Sequence, residues 1–197
     1  MKKIISMIPI IIAIYIIFPI SIIAIERDFD FTDASSNEFG EDWLWNNTDK
    51  TLILSGVTID KALKLPENSS IEITNNTTNI IAITDTVPIT AAGNLTISGS
   101  GSLTIQTNSD KTGFNTINGI TDLYVENINL TTSGLTGLMA ENVVIKNAVI
   151  DIYGYRYGIH SSSTTEGKNL KVNLINCTGK ITGKLLQGIE ISNQKKR

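Results

Sequence analysis

Three tyrosines occupy every second position in one short segment of the chain, and aromatic rings are the side chains on which sugar rings stack. At alternate positions of an extended strand they would share one face. The C–H side of a sugar packs on such rings, and its hydroxyl groups pair with polar neighbours. The sequence therefore predicts a carbohydrate-binding patch formed by Tyr153, Tyr155, Tyr157, Arg156, Asp151 and His160. The alternative interpretation is that the tyrosines pack around a corner of the fold.

Catalytic chemistry has less support in the residue types. Enzymes of β-helical fold that cut acidic polysaccharides need clustered carboxylates on one face, with Arg, Lys or calcium. Here the acidic residues of the repeated region are scattered: Asp85, Asp110, Asp122, Glu126, Glu141 and Asp151. His160 is the only histidine, and no serine lies in a nucleophile-elbow motif. We predict no catalytic residue, and a polysaccharide-degrading enzyme is the least favoured function.

No cofactor is predicted. Calcium is the alternative, because Asp28, Asp30 and Asp33 could ligate it together with backbone oxygens. Their spacing matches no established calcium loop, and we interpret residues 26–42 as a solvated acidic linker. Cys177 is the single cysteine, which excludes an intramolecular disulfide, and we expect it to be a small core residue.

The N-terminus indicates export. Lys2 and Lys3 precede an uncharged apolar run over residues 4–25, as in a signal peptide. The run is also nearly long enough to span a bilayer, so residues 1–25 are either a cleaved signal peptide or an uncleaved anchor. In both cases the rest of the chain lies outside, at the cell surface or secreted, and only this segment contacts the membrane.

Composition indicates strands and tight turns. Hydrophobic residues make up 41% of the chain but aromatic residues only 6%, and Ile, Leu, Val, Asn, Thr and Ser dominate. The net charge is −3, which disfavours nucleic acid as a partner because phosphate contacts need clustered basic residues.

Units of 20 to 30 residues then resemble one another. Aligned copies place apolar residues in three recurring sets: Leu95, Leu123, Val143 and Leu170; Ile97, Val125, Ile145 and Val172; and the pairs Leu103/Ile105, Ile128/Leu130 and Ile150/Ile152. Gly113, Gly137, Gly158 and Gly188 each precede an apolar residue and mark the units. Repeated short strands without a helical pattern predict an all-β fold, a right-handed parallel β-helix of about six coils over residues 43–192, followed by a basic tail at 193–197. An antiparallel β-sandwich is the less favoured alternative.

Two further features belong to this architecture. Asn127, Asn147 and Asn176 are expected to stack at a coil corner and hydrogen-bond along the stack. Trp43 and Trp45 alternate ahead of the first coil, where we expect them to cover its open end rather than to form a sugar platform.

The N-terminal part of the repeat has a recognisable pattern. Trp43-Leu44-Trp45 is followed by the stretch Thr-Leu-Ile-Leu-Ser-Gly at 51–56 and by Gly-Asn-Leu-Thr-Ile-Ser-Gly-Ser-Gly-Ser-Leu-Thr-Ile at 93–105. Over residues 43–160 the chain resembles the repeats of large secreted and surface proteins of anaerobic gut bacteria and similar microbes, often labelled carbohydrate-binding-domain-containing. The resemblance implies a repetitive β fold and a role in binding carbohydrate.

The predicted function is therefore that of an exported, non-catalytic module whose partner is a polysaccharide or cell-wall glycan. The alternative is a structural or adhesive surface protein that binds a host protein, a neighbouring surface protein or the cell wall.

Overall fold

The computed structural model describes residues 29–161, 170–185 and 189–191. The predicted signal segment, the linker residues 26–28 and the basic tail lie outside these ranges. Within them the fold is all β, as predicted, with fifteen strands and no helix that could cross a membrane. The strands are β1 (Glu38–Phe39), β2 (Trp43–Asn46), β3 (Thr51–Leu54), β4 (Thr58–Ile59), β5 (Leu63–Leu65), β6 (Ser69–Ile73), β7 (Thr78–Ala82), β8 (Ile89–Gly99), β9 (Ser102–Gln106), β10 (Ile117–Glu126), β11 (Asn129–Lys146), β12 (Val149–His160), β13 (Lys171–Ile175), β14 (Thr178–Gly183) and β15 (Ile189–Ile191).

Most of these strands pair in parallel and form two ladders. The first ladder joins β3, β6, the end of β8, the end of β10, the end of β11 and β13. The second ladder joins β4, β7, β9, the start of β11, the start of β12 and β14. β11 belongs to both because its two halves pair with different neighbours. A further set of parallel pairs joins β5, the start of β8 and the start of β10.

The in-register columns of apolar side chains form the core. Leu95 pairs with Leu123 and Leu123 with Val143, as the aligned units predict. Ile97, Val125 and Ile145 form the neighbouring column in the same way, and members of both columns are at most 1% exposed. Because residues in register lie on the same side of a sheet, each unit buries its apolar side chains on those of the next.

The predicted alignment is wrong by two residues in the last unit. Val143 pairs with Val172 rather than Leu170, and Ile145 pairs with Leu174 rather than Val172. The corner asparagines are 20 residues apart in one unit and 29 in the next, so unit length does not define the register. A shift of two residues keeps the same side chains facing inward, and alternation alone could not detect it.

A shift of the same size occurs in the second ladder. Leu130 pairs with Leu103 and with Ile150, and Thr132 takes the place beside Ile105 and Ile152 that the alignment gave to an apolar residue. Ile128 is buried at the corner instead, where its carbonyl accepts a hydrogen bond from the Val149 amide.

The asparagine stack is confirmed. Asn127, Asn147 and Asn176 have positive φ angles of 57°, 50° and 52°, a region that asparagine enters more readily than most residues. The Asn147 side-chain amide donates to Asn127 Oδ1 at 3.2 Å, and Asn176 donates to Asn147 Oδ1 at the same distance. Each corner therefore supports the next.

An aromatic cluster covers the N-terminal end of the core. Trp45 is fully buried in register with Leu52, and its ring stacks on Phe31 with centroids 4.7 Å apart. Trp43 lies opposite Leu54, is half-buried, and contacts Phe29 and Phe31. The expectation that the two tryptophans close this end of the fold is confirmed.

The prediction of a linker is wrong for residues 29–31 and for β1, which pair with the rest of the fold, although most side chains of residues 32–42 are exposed as predicted. Phe31 is 1% exposed, its amide donates to the Lys64 carbonyl, and the Lys64 amide donates to the Phe29 carbonyl. β1 then pairs antiparallel with β2, and β2 antiparallel with β3. The composition is acidic, but Phe29 and Phe31 bring the start of the segment onto the open end of the core.

The C-terminal end also changes direction. β15 pairs antiparallel with β14, so Ile189 does not begin another parallel unit as the repeat pattern suggested. Gly188 lies outside the described residues. Cys177 is half-buried and packs against the core, in agreement with its predicted role. Antiparallel strands therefore lie next to the parallel ladders at both ends.

Replacing the buried tryptophan should destabilise the protein. We expect Trp45→Ala to lower the free energy of unfolding by about 3–5 kcal/mol, because it leaves a cavity beneath Phe31. Phe39→Ala is the matched control, since Phe39 is 71% exposed, and it should change stability by less than about 0.5 kcal/mol. Urea denaturation measures both, and equal stabilities for the two variants would contradict the proposed cap.

A substitution at Thr132 should instead stabilise the protein. The Thr132 side chain is 1% exposed, and its hydroxyl has no hydrogen-bond partner among the residues that the structure describes. An unpaired buried hydroxyl costs about 1–3 kcal/mol, so Thr132→Val should raise the free energy of unfolding by about 1–2 kcal/mol. The exposed neighbour Thr131, changed to Val, should have little effect. A lower denaturation midpoint for Thr132→Val would show that the hydroxyl is satisfied.

Candidate functional site

β12 carries the predicted binding residues on the outward side of the second ladder. Ile150 and Ile152 point into the core and are at most 1% exposed. The alternating positions Val149, Asp151 and Tyr153 therefore face outward, and Tyr153 is half-buried there. The inward isoleucines thus hold this face in place.

A β-bulge interrupts the predicted face of three tyrosines. Gly154 pairs with Gly134, but the next pair is Tyr157 with Thr136, so Tyr155 and Arg156 lie opposite one residue of β11. Thr136 is 4% exposed, and a residue in register with it lies on the same side of the sheet. Tyr157 therefore belongs to the inward-facing side, unlike Tyr153. Gly154, an isolated glycine inside the strand pattern, is the local sequence signal for this bulge.

The bulge separates the predicted residues into three small groups. Lys184 Nζ lies 5.0 Å from the centre of the Tyr155 ring, a cation–π contact. Asp151 forms an exposed ion pair with Lys180 at 3.4 Å. The Tyr157 and His160 rings stack with centroids 4.1 Å apart. Arg156 is exposed beside them.

Gly154 lies directly before this bulge. Instead of leaving space for a ligand on the outer surface, it is buried on the inward side. A Cβ at this position would overlap the Tyr157 carbonyl oxygen and come within 2.9 Å of the Gly137 amide nitrogen. Glycine is required here because two backbone segments approach each other closely at the bulge.

A cleft that the sequence reasoning missed extends from the tyrosine face. Its volume is about 380 Å³, and its lining includes Gln106, Thr107, Asn108 and Ser133. Ser133 is in register with Gln106 on one side and with Tyr153 on the other. The three therefore form an outward row across two strand spacings, about 10 Å. A correct alignment of the second ladder would have revealed this row. Gln106, Ser133 and Tyr153 each come directly after an inward-facing residue, and those inward residues are in register with one another.

This row and cleft have the chemistry of a binding surface. Tyr153 offers an aromatic ring, Gln106 and Asn108 offer amides that donate and accept, and Ser133 offers a hydroxyl. Such a mixture of one ring and several neutral hydrogen-bonding groups suits a hydroxyl-rich ligand.

Metal ligation has no support in the described ranges, where no group of three or more His, Cys, Asp or Glu side chains could hold an ion. Of the three aspartates considered for calcium, Asp28 lies outside the description. The Asp30 carboxylate accepts hydrogen bonds from the Thr32 hydroxyl and amide and pairs with Lys64 Nζ at 2.9 Å. The pKa of Asp30 is lowered, mainly by the hydrogen bond from the Thr32 hydroxyl and also by Lys64.

Comparison with known proteins adds no assignment: no family model, no curated protein and no solved structure matches this chain.

The Asp30 contacts predict a pH dependence. A lowered pKa means that ionised Asp30 stabilises the fold above its ordinary pKa and that this contribution is lost as the pH falls through the lowered value. Asp30→Asn should therefore lose at most about 1 kcal/mol at pH 6, because the ion pair is exposed to solvent. The difference from the unchanged protein should shrink below about pH 4.

Thermal unfolding between pH 6 and pH 2.5 measures this difference. Asp33→Asn, an exposed neighbour with the same change in net charge, is the control. A difference between the Asp30 variant and the unchanged protein that stays constant over the range would contradict the prediction.

Proposed function

We propose that the protein is an exported, non-catalytic module that binds carbohydrate on the outward face of β12. The observation that carries this proposal is the row of Gln106, Ser133 and Tyr153 beside an open cleft. We also propose that the two parallel ladders are the coils of a right-handed parallel β-helix, with antiparallel strands at its ends.

The shape of this surface favours an extended glycan. The row runs across successive parallel strands, so a polysaccharide can lie along it and meet an equivalent position at each strand. Tyr153 and Tyr155 lie on strand backbone that the core holds in place, so binding orders few side chains and little conformational entropy is lost. The cleft lets one part of the glycan enter more deeply at Gln106 and Asn108.

The charges near the tyrosines support binding rather than catalysis. Glycoside hydrolysis needs two carboxyl groups on either side of the scissile bond. Asp151 is the only acidic residue of β12, and Lys180 pairs with it. In this proposal Asp151, Arg156 and His160 orient hydroxyl groups and transfer no proton.

Export is part of the proposal. A positively charged start followed by the apolar run over residues 4–25 would deliver the domain to the cell surface or the medium. There the partner is a polysaccharide or cell-wall glycan, and contact with the membrane is limited to the N-terminal segment.

One observation favours the second candidate, a structural or adhesive protein with a protein partner. Val149, Ile175 and Leu185 are 54%, 37% and 56% exposed, and all belong to the last units of the chain. Where such side chains form one contiguous patch, they mark a protein-contact surface. The two candidate functions are separated by a pull-down with insoluble cellulose, xylan and peptidoglycan. The peptidoglycan is first stripped of adsorbed surface proteins. Retention on any of them supports the glycan-binding function, and retention on none contradicts it.

The binding face can be tested by substitution. We expect the double variant Tyr153→Ala, Tyr155→Ala to bind the retained polysaccharide about tenfold or more weakly, because each ring contact contributes about 0.5–1.5 kcal/mol beyond its buried area. Affinity electrophoresis in gels containing soluble xylan or hydroxyethyl cellulose measures the change.

Val149→Ala is the matched control, because this exposed residue lies on the same outward face of β12 and carries no ring. Its mobility should equal that of the unchanged protein. A double variant that folds normally and is retarded as strongly as the unchanged protein would remove the tyrosines from the site.

A further inference from the structure

A second aromatic hollow lies on the outward side of the first ladder. Tyr124 is 44% exposed in the middle of β10, whereas its neighbours Leu123 and Val125 are buried. The hollow has a volume of about 310 Å³, and it is lined by Thr96, Tyr124, Val125, Glu126, Val144 and Lys146. Nothing in the core or the caps requires an exposed ring at this position.

The strand register surrounds this ring with groups of defined chemistry. Thr96 and Val144 lie in register with Tyr124 on the two neighbouring strands. Glu126 and Lys146 are in register with each other two residues further along, on the same outward side. No ion pair within 4 Å joins either charge to another described residue, so both are available to a ligand.

The other side of the ring is also polar. Asp122 lies two residues before Tyr124, and its carboxylate accepts a hydrogen bond from the Asn142 side-chain amide. Tyr124 is thus bordered by an amide–carboxylate pair on one side and by a carboxylate and an ammonium group on the other. An aromatic ring between hydrogen-bonding side chains is an arrangement suited to a single sugar ring.

We propose that this hollow is a second carbohydrate site that binds a neutral hexopyranose. The sugar would stack on Tyr124, two of its hydroxyl groups would donate to the Glu126 carboxylate, and Lys146 would donate to a third oxygen. The carboxylates of Asp122 and Glu126 and the single ammonium group of Lys146 flank the ring, so the site has no net attraction for an acidic sugar, and Glu126 repels a uronate carboxylate directly.

The two sites lie on different faces of the molecule. The buried columns of both ladders belong to one core, so the outward sides of the first and second ladders point away from each other. The Tyr124 site does not depend on the β12 face for any of its residues. With both sites present, one molecule would bridge two glycan chains.

Nuclear magnetic resonance tests the site directly on the isotope-labelled full chain. Methyl glycosides of glucose, mannose and galactose are titrated to tens of millimolar, with methyl galacturonide as the acidic comparison. We expect at least one neutral glycoside to shift the backbone amides of Tyr124, Val144 and Lys146, and the galacturonide to shift them less. Tyr124→Ala should weaken that response at least about fivefold.

The same spectra separate this proposal from the proposed function. Shifts near Tyr124 support the second site whatever happens at Tyr153, and shifts confined to Gln106, Ser133 and Tyr153 overturn it while leaving the β12 face standing. Absence of shifts with every neutral glycoside, or a stronger response to galacturonide, also overturns it. Ile175→Ala, an exposed residue of the same ladder, controls for an unspecific loss of surface area and should respond like the unchanged protein.

Discussion

In-register parallel pairing is the constraint on which this structure depends. A single strand cannot bury its apolar side chains, and its backbone donors and acceptors need partners on both sides. Pairing with the next unit satisfies both requirements together, because side chains in register face the same way. The column of Ile97, Val125 and Ile145 is the direct result. The corner asparagines reinforce the register, since each hydrogen-bonds to the one before it.

The same constraint creates a difficulty at the two ends, where a unit has a neighbour on one side only. At the N-terminus the solution is aromatic: Phe31 stacks on Trp45, and the backbone of residues 29–31 pairs with Lys64. Two antiparallel strands complete that end, and at the C-terminus β15 lies antiparallel to β14. Reversing the strand direction stops further parallel stacking, which otherwise invites pairing with another chain.

Outward-facing side chains are spaced as regularly as the core residues between them, but they are not restricted to apolar types. Inward columns are limited to apolar residues of similar shape, but the outward rows differ from strand to strand. This freedom allows Gln106, Ser133 and Tyr153 to form one row and Thr96, Tyr124 and Val144 another. Each row gains rigidity from the buried residues on either side of it. Single exposed rings on the outward rows are therefore a consequence of the fold, and the polar neighbours of each ring determine what it can bind.

The sequence alone determined the all-β class, the stacking of Leu95, Leu123 and Val143, the asparagine corner and the closing role of the tryptophans. These features depend on residue type and on the alternation of inward and outward residues within a strand, and both can be read directly from the sequence. Only the tertiary structure decided the register of the last unit, since a shift of two residues leaves every inward position apolar. It also decided that Asn79 is buried, because its Oδ1 accepts from the Gly56 and Val57 amides 23 and 22 residues away.

The two proposed binding surfaces divide in the same way. Tyr153 and Tyr155 were identifiable from their spacing, whereas the bulge that separates them from Tyr157 arises from a mismatch between β11 and β12. The neighbours of Tyr124 could not be read from the sequence, because Thr96 and Val144 are 28 and 20 residues away and approach it only through strand pairing. Composition can show which side chains are suited to a ligand. Which of them meet on one surface depends on long-range register, and that is a property of the folded chain.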